Sequence, residues 1–295
     1  MQSYVGRFAP SPSGPLHFGS LVCALVSFLH ARQAGGKWLV RIEDVDTTRI
    51  QDGAADTILS QLQAHGMQWD DQIVYQTQRL RAYQSALDEL IRQKHVYACE
   101  CTRQAIKAKG QFYTGTCREL ALPFMGNSIR VINNGEQASF EDLHLGKVQV
   151  NTDFCAEDLS IRRKDGLFAY NFAVVIDDIF QQVTHVVRGA DLIDTTMQQN
   201  YLYQLFNIPS VSYFHLPVIC NETFKKLSKQ NHAEAVDNQF AAQNLLKAFE
   251  LIGLSSADLS EKMSASRLVD WAVKHWSPKL LAKQREILLS GTNAV

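Results

Sequence analysis

Three of the six cysteines lie in one short segment of the sequence, "CECTRQAIKAKGQFYTGTC". One residue separates Cys99 from Cys101, and Cys117 ends the segment. In a reducing compartment, clustered thiols favour zinc over disulfides. A closed structural site needs a fourth ligand, for which His95 is the usual type of side chain. We therefore expect one structural Zn²⁺ per chain, stabilising a segment that buries too little core to hold itself together.

A second chemical feature is the rigid turn "RFAPSPSGPLHFGS", which separates a short apolar run from a long one. Neither a Walker A motif nor G-x-G-x-x-G occurs in the sequence, so phosphate binding requires another device. The turn leads into a helix predicted to begin at Phe18 or Gly19, and the free N–H groups of a helix start suit an anion. His17 stands immediately before that start, and Gly19 permits close approach to the backbone.

The elements that position these residues alternate between strand and helix patterns. Strands "YVGRFA" and "KWLVRIED" flank a largely apolar helix, which predicts an α/β fold with a parallel sheet and crossover helices. Short strand-like runs and turns interrupt the alternation from about Val96 to Ser160, and beyond Gln230 the periodicity is helical. We therefore divide the chain into an α/β domain formed by residues 1–95 and 161–230, an insertion at 96–160 and a helical segment at 231–295.

Composition narrows the class of protein. The chain has 295 residues, of which 46% are hydrophobic and 20% charged, and this is typical of a soluble globular protein. No apolar run approaches the roughly 20 residues of a membrane span, and the start lacks a secretory signal pattern, so we expect a cytoplasmic protein with no membrane partner. Because the net charge is −1, contact with nucleic acid requires a local basic patch.

A second motif, "FKKLSKQ" at residues 224–230, follows the last strand–helix unit. Together, "HFGS" and "KLSKQ" resemble the two signatures of class I aminoacyl-tRNA synthetases. The later "KMSAS", at residues 262–266, is closer by letters but lacks the second lysine, which contacts phosphate in that family. We interpret "KMSAS" as the start of a helix with Ser264 or Ser266 as its N-cap.

Further motifs narrow the resemblance to the glutamyl branch of these synthetases. In the order of a glutamyl-tRNA synthetase catalytic domain stand "RFAPSPSGPLHFGS", "RIEDVDTTR", "DGLFAYNFAVVIDD", "VVRGADL" and "KLSKQ", which together cover most of residues 1–230. The resemblance implies a Rossmann-type class I catalytic domain with a zinc-bearing insertion and a C-terminal helical segment. It also implies activation of L-glutamate by ATP with Mg²⁺, for which Asp44 and Asp46 are unassigned candidate ligands.

The same resemblance implies a glutamate site. Arg7 and Arg188 would pair with the side-chain carboxylate, because guanidinium matches it in fork geometry and so excludes neutral glutamine. Glu43 would take the ammonium group. The other glutamate-binding candidates are Ala9, Ser11 and Tyr170.

The ATP site and the metal site are implied in the same way. His17 and Lys229 would be catalytic by stabilising charge as pyrophosphate leaves. The ATP-binding candidates are His17, Gly19, Lys226, Ser228 and Lys229. The resemblance adds Tyr113 to Cys99, Cys101 and Cys117 as a metal ligand, so Tyr113 and His95 both stand as candidates for the fourth position.

The sequence also departs from the family pattern. Ser20 stands where a second histidine is usual, and Ala190 and Leu192 stand where Glu and His are common, so the chain departs from the residues that make the standard contacts with the tRNA acceptor end. About 65 residues follow Gln230, too few for an anticodon-binding domain. A truncated form of this family transfers activated glutamate to queuosine in the anticodon loop of tRNA(Asp), and we expect that activity here.

Two alternatives remain at this stage. One is a truncated glutamyl-tRNA synthetase that esterifies the tRNA 3′ end, and the other is a zinc-bearing binding module with a vestigial nucleotide fold. The retained arginines, Glu43 and Lys229 count against the binding module. We expect a monomer whose partners are L-glutamate, ATP and queuosine-containing tRNA(Asp). A candidate basic patch for the RNA is formed by Lys274, His275, Lys279, Lys283 and Arg285.

Overall fold

The structure, a computed structural model, describes residues 3–134, 137–222, 225–226 and 234–288. Its α-helices are α1 (Phe18–Gln33), α2 (Ala54–Ala64), α3 (Leu80–Arg92), α4 (Arg103–Lys109), α5 (Thr152–Ala156), α6 (Tyr170–Phe180), α7 (Thr195–Leu205), α8 (Ala241–Leu251) and α9 (Ala265–His275). Its strands are β1 (Val5–Phe8), β2 (Lys37–Ile42), β3 (Val74–Tyr75), β4 (Val96–Cys99), β5 (Ser128–Val131), β6 (Ser139–Asp142), β7 (Gly146–Gln149), β8 (Ser160–Arg162), β9 (His185–Gly189), β10 (Ser212–Leu216), β11 (Val218–Glu222), β12 (Lys225–Lys226) and β13 (Glu286–Leu288).

A central sheet organises the fold, with the strand order β3-β2-β1-β9-β10-β6-β7. Neighbouring strands from β3 to β6 pair in parallel, and only β7 joins its neighbour in the antiparallel sense. The predicted parallel α/β sheet is therefore confirmed. Because parallel strands end at one edge, residues that follow β1, β2, β9 and β10 meet there, which is where ligands of open α/β sheets bind.

Helix α1 shows how the local sequence produces this arrangement. The helix begins at Phe18 with His17 as its N-cap, which confirms the predicted start. It is apolar on most sides because the sheet covers one side, α8 and α9 pack against others, and residues such as Leu25 are fully buried. At its end Gly35 adopts φ +63°, and a Cβ on Gly36 would lie 2.4 Å from the Tyr4 carbonyl oxygen. Glycine is thus required where the chain turns back into β2.

Two apolar cores lie on opposite faces of the sheet, because successive side chains of a strand alternate in direction. Val187 and Phe214 belong to the core with α1, α2, α8 and α9. Val186 and Tyr213, one position earlier on the same strands, belong to the core with α3, α6 and α7. The face toward α6 and α7 carries the buried charges described below.

The predicted insertion contributes to two sheets. Strands β4, β5 and β8 form a separate antiparallel sheet, and the chain enters this sheet at β4, directly after α3. The β6–β7 hairpin instead extends the central sheet, with Asp142 of β6 paired with Tyr213 of β10. Residues 139–149 of the proposed 96–160 unit are thus continuous with the catalytic sheet, and the boundaries of that unit stay a prediction.

The C-terminal region is helical only in part. Helices α8 and α9 pack on α1, and Ser264 caps α9 by accepting a hydrogen bond from the Arg267 backbone N–H. This confirms "KMSAS" as a helix start. The prediction of helix throughout residues 231–295 is wrong for Glu286–Leu288, which form β13 parallel to β11. A three-residue strand is too short to show a period of its own. No helix of the described residues is long and apolar enough to cross a membrane.

Candidate active site

Three neighbouring parallel strands each place an arginine on the same face of the sheet. Arg41 lies on β2, Arg7 on β1 and Arg188 on β9. Each is next in sequence to a residue of the core with α1, so each arginine side chain points to the other face, toward α6 and α7. Their side chains are almost completely buried, with 0%, 5% and 4% exposed. Arginine is rarely buried without a partner, because removing a charge from water is costly. The partners of these side chains therefore indicate what the site is built to hold.

Helix α6 neutralises the first two arginines. Arg41 Nη1 donates to Asp178 Oδ1 at 2.7 Å, and Arg7 Nε donates to the same oxygen at 3.3 Å. Burial opposes ionisation of Asp178, but the charges of Arg41 and Arg7 lower its pKa below the usual value. Asp178 lies in the last turn of α6, where the negative end of the helix dipole disfavours a carboxylate. The charges of Arg41 and Arg7 therefore account for an ionised Asp178 at this position.

Glu43 directly follows β2 at the carboxyl edge of the sheet. It accepts a hydrogen bond from Arg41 Nη2 at 3.2 Å and is 7% exposed. Burial raises the pKa of Glu43, although the charges of Arg41 and Arg7 act in the opposite sense. A cation placed beside this carboxylate would offset its burial and favour its ionised form.

Arg188 differs from the other two arginines because all its partners are neutral. Its Nη1 donates to Gln199 Oε1 at 2.7 Å, and its Nη2 donates to Thr196 Oγ1 at 2.8 Å and to the Leu192 carbonyl at 3.2 Å. Its Nε donates to Nε2 of His215 at 3.0 Å. Across the part of the chain that the structure describes, none of the ion pairs includes Arg188. The site thus contains a buried positive charge without an acidic partner.

Most of the predicted ligand-binding residues line two adjoining cavities. One, of about 990 Å³, extends from the Pro-rich turn to the ends of β9 and β10. The other, of about 840 Å³, extends from the same turn to the cysteine-bearing insertion. The predicted residues that line the first cavity are Arg7, Ala9, Ser11, His17, Gly19, Tyr170 and Arg188. Those that line the second are Ser11, Glu43, Tyr170 and Cys101.

The lysine motif is only partly within the described residues. Ser228 and Lys229 lie outside them, and of Lys226 only the backbone is described, paired with Cys220 of β11. Val218 and Ile219 of β11 line the first cavity, so the motif follows a strand that borders the site. The roles of Lys226, Ser228 and Lys229 stay predictions from the motif.

His17 lies at the start of α1 and is held by Ser20. The Ser20 backbone N–H donates to Nδ1 of His17 at 3.2 Å. Nδ1 is therefore the acceptor nitrogen, and Nε2 carries the proton, 2.9 Å from the Ser20 hydroxyl oxygen. The serine that departs from the family motif thus contacts both ring nitrogens and orients the histidine.

The two unassigned magnesium candidates each accept hydrogen bonds in the first turn of a short 3₁₀ helix. Asp44 accepts hydrogen bonds from the Thr77 backbone N–H at 2.8 Å and from its hydroxyl at 2.6 Å. Asp46 caps a short 3₁₀ helix through Thr48 and pairs with Arg163 at 3.4 Å. These contacts account for both carboxylates without a cation.

The cysteine cluster is assembled as the sequence predicts. The sulfur atoms of Cys99, Cys101 and Cys117 lie within 4.8 Å of one another, and no histidine of the described residues, His95 included, belongs to this group. The Tyr113 hydroxyl accepts a hydrogen bond from the Cys117 backbone N–H at 2.8 Å. Burial raises the pKa of Tyr113, and neighbouring Cys99 raises it further. A tetrahedral zinc site requires sulfur separations of about 3.8 Å, so the three thiols fit the ion.

Comparison with known proteins defines the class. A family model described as tRNA synthetases class I (E and Q), catalytic domain, matches residues 4–121 and 123–288. The fold agrees with that of a glutamate tRNA ligase from Elizabethkingia meningosepticum, with a TM-score of 0.79 at 23% identity over 96% of this chain and 66% of that one. The chain thus covers just under two thirds of that ligase. The predicted class I catalytic fold is confirmed.

More similar relatives identify the family within that class. The chain is 48% identical to a glutamyl-Q tRNA(Asp) synthetase of Shewanella oneidensis over 97% of its length and 95% of the relative. It is 46% identical to one of Photobacterium profundum over 98% of its length and 94% of the relative. The chain belongs to the glutamyl-Q tRNA(Asp) synthetases, which are ligases of the tRNA synthetase type. The resemblance identified from the sequence motifs is confirmed.

Several buried residues of the site escaped sequence reasoning. Arg41 and Asp178 lie inside quoted motifs but were not assigned a role, and His215 and Asp142 lie outside them. Arg41, Asp178 and His215 were detectable as ionisable residues within or at the end of an apolar run, as in "YFHLPVI" and "VVIDD", whereas Asp142 lies in the mixed stretch "SFEDLH" and gives no such signal. That signal predicts burial with a partner but does not identify the partner.

Proposed function

We propose that the protein activates L-glutamate with ATP and transfers the glutamyl group to queuosine of tRNA(Asp). The proposed activation of glutamate rests on the environment of Arg188. Its buried guanidinium borders the 990 Å³ cavity and has only neutral partners. An unpaired buried charge is expensive, so the site favours an anionic ligand at this position. The side-chain carboxylate of glutamate supplies that anion, and the neutral amide of glutamine does not.

The remaining groups of glutamate have partners nearby. Glu43, whose carboxylate is buried beside Arg41, would hold the ammonium group. Arg7 has an Nη1 group that makes no hydrogen bond to the described residues, and it would share the side-chain carboxylate with Arg188. Tyr170 would add its hydroxyl, and Ala9 and Ser11 would line the bound amino acid along the Pro-rich turn.

Activation joins the α-carboxylate to ATP. A carboxylate oxygen attacks the α-phosphorus, and the bond to the leaving pyrophosphate breaks, which yields glutamyl-adenylate. Such a reaction needs orientation and charge stabilisation more than covalent help. His17, at the start of α1, and Lys229 would stabilise the phosphates, with Gly19, Lys226 and Ser228 binding ATP. Mg²⁺ would neutralise the pyrophosphate.

Transfer then consumes the adenylate. A ring hydroxyl of queuosine attacks the glutamyl carbonyl carbon, and AMP leaves as the ester forms. Support for this target comes from the relatives named for tRNA(Asp), of which the chain covers 94% to 95%. The departures at Ser20, Ala190 and Leu192 also distinguish the chain from the pattern that binds the acceptor end.

The target is tested with an isolated anticodon stem-loop. We expect labelled glutamate and ATP to label a queuosine-containing stem-loop that has no acceptor stem, and to leave the same stem-loop with guanosine unlabelled. Physical truncation of the RNA is required, because periodate attacks the queuosine diol as well as the terminal ribose. If label appears only at the 3′ end of intact tRNA, the protein is instead a truncated glutamyl-tRNA synthetase.

The basic patch at the C-terminal region is proposed to contact the RNA. Lys279 and Lys283 are exposed, and Lys283 lies shortly before β13, which pairs with the cavity-lining strand β11. The short distance in sequence from Lys283 to β13 supports an RNA contact near this border of the site. Phosphate contacts of this kind weaken with salt.

We expect the double variant Lys279→Gln and Lys283→Gln to reduce transfer to the stem-loop about tenfold at physiological salt and to leave pyrophosphate exchange unchanged. The variant should also show a weaker salt dependence. Lys37→Gln is the control, because Lys37 is exposed at the opposite, amino end of β2. Equal transfer by the double variant and the wild type would place the RNA elsewhere.

A structural zinc is proposed for the cysteine cluster, with Cys99, Cys101 and Cys117 as ligands and Tyr113 as the candidate fourth. We expect about one zinc per purified chain and expect Cys101→Ala to lose both the metal and the order of residues 96–120. Cys155→Ala should retain the metal, because Cys155 is buried in α5 outside the cluster. If Tyr113→Phe has unchanged zinc content and affinity, another group completes the site.

A further inference from the structure

Arg188 has a histidine as its direct neighbour on the next strand. Strands β9 and β10 are parallel, and Arg188 and His215 are register partners, so their side chains leave the same face of the sheet. Arg188 Nε donates to Nε2 of His215 at 3.0 Å. Both side chains are buried, and His215 is 0% exposed. The histidine therefore acts on the arginine through its unprotonated ring nitrogen.

The opposite ring nitrogen of His215 is fixed by Asp142. Because Nε2 accepts from Arg188, the neutral ring carries its proton on Nδ1, which lies 2.7 Å from Asp142 Oδ2. The other carboxylate oxygen, Oδ1, accepts from the backbone N–H groups of His144 at 3.0 Å and Leu145 at 2.9 Å. These bonds leave the carboxylate a single orientation, so Asp142 selects the tautomer of the ring.

We infer that Asp142 and His215 are positioning residues that orient the Arg188 guanidinium for the side-chain carboxylate of glutamate. The inference rests on the proposed role of Arg188 in the glutamate site. The contacts run from Asp142 at the end of β6 through His215 on β10 to Arg188 on β9. Asp142 and His215 therefore act through Arg188 and do not touch the ligand themselves. It resembles in logic the carboxylate that holds a catalytic imidazole in one tautomer.

The hydrogen bonds of Arg188 show what this orientation achieves. A guanidinium has five N–H donors, and the bonds to His215, Gln199, Thr196 and Leu192 use four of them. One N–H on Nη1 has no acceptor among the described residues. Fixing Nε through His215 thus determines which donor remains for a ligand. If Nε2 of His215 carried the proton, its N–H would face the Nε–H of Arg188. Two donors cannot hydrogen-bond to each other, so the guanidinium would be displaced.

The protonation states agree with this arrangement. Burial lowers the pKa of His215, and the charge of Arg188 lowers it further, although the hydrogen bond to Asp142 acts in the opposite sense. Burial raises the pKa of Asp142, but the hydrogen bonds from His215 and the backbone outweigh it and leave the pKa below the usual value. At neutral pH the ring is therefore neutral and the carboxylate ionised.

Two variants of His215 separate the two ring nitrogens. In His215→Gln the terminal amide reaches near the position of Nε2 and can accept from Arg188, whereas in His215→Asn the amide lies near Nδ1 and retains only the bond to Asp142. We expect His215→Asn to raise the KM for glutamate about tenfold in pyrophosphate exchange with an unchanged KM for ATP. His215→Gln should stay within about threefold of the wild type.

A third variant tests the tautomer itself. In Asp142→Asn, an NH₂ group replaces Oδ2 opposite Nδ1 and favours the ring with its proton on Nε2, so the glutamate KM should rise as in His215→Asn. His65→Gln is the control, because His65 at the end of α2 is also fully buried but contacts the Gln61 carbonyl and Asn244 and lines neither cavity. It should leave both KM values unchanged.

The outcomes distinguish this inference from the proposed function. If the wild type shows no glutamate-dependent exchange, the proposed activation of glutamate is wrong. If the wild type is active and His215→Asn and His215→Gln have the same glutamate KM, only the positioning role is overturned. A parallel rise in the KM for glutamate and ATP in both His215→Asn and Asp142→Asn would likewise reduce these residues to a structural role.

Discussion

Arg188→Gln is expected to reduce glutamate-dependent pyrophosphate exchange, measured as kcat/KM, by about a hundredfold. The reason is that the substitution removes a buried charge that has no acidic partner among the described residues, and the side-chain carboxylate of glutamate would then lose a charge-assisted hydrogen bond worth about 3 kcal/mol. Exchange with glutamine at high concentration should change much less, because its amide gains little from the charge. The measured quantity is the ratio of kcat/KM for the two amino acids.

Two further variants make this result interpretable. Arg188→Lys keeps the charge but loses the planar fork, so it should restore only part of the preference for glutamate. Arg32→Gln is the control for the loss of an arginine, since Arg32 pairs with Asp70 near the end of α1, away from the cavities. An Arg188→Gln protein that retains its full preference for glutamate would remove Arg188 from the amino-acid site.

Lys229→Ala is expected to reduce the rate of pyrophosphate exchange by about a hundredfold. The second lysine of "KLSKQ" is expected to stabilise charge that develops on the phosphates in the transition state, and groups of this kind contribute about 3 kcal/mol. Because such an interaction is stronger in the transition state than in the bound substrates, kcat should fall more than the KM for ATP rises.

The matched control is Lys262→Ala in the competing motif "KMSAS". Lys262 is exposed and precedes Ser264, whose side chain caps α9, so its substitution should leave exchange unchanged. An equal loss in the two variants would show that "KLSKQ" was wrongly chosen as the lysine signature. A loss confined to Lys262→Ala would assign the signature to the later motif.

Sequence motifs predicted site residues that lie at the carboxyl ends of strands or in the turns that follow them. Arg7 and Glu43 stand in or next to motifs with a recognisable order, and the helix start at His17 followed from the Pro-rich turn. The pairing of Arg7 with Asp178 was not predictable, because the two residues are 171 positions apart and meet only in the folded sheet. Long-range ion pairs depend on strand order, which local patterns do not encode.

The positioning residues of Arg188 show the same limit more sharply. Asp142 belongs to the predicted insertion, and nothing in the sequence indicates that β6 pairs with β10. His215 lies in an apolar run where a lone histidine is compatible with ordinary core packing. At the cysteine cluster the grouping of the three thiols was predictable from spacing, but the position of His95 outside that group required the geometry of the fold.

The contact between β1 and β9 has a consequence for how the molecule folds. The hydrogen bond from the Val5 backbone N–H to Thr184 joins residues 179 positions apart, so the chain must close a very long loop before the middle of the sheet exists. Folds dominated by such distant contacts form slowly and pass through partly structured intermediates. In an intermediate that contains only β1, α1 and β2, Arg7 and Arg41 still lack Asp178 and must remain hydrated. Burial of Arg7 and Arg41 with a charge partner therefore requires α6, so the proposed glutamate site is complete only when β1, β2 and β9 have assembled with that helix.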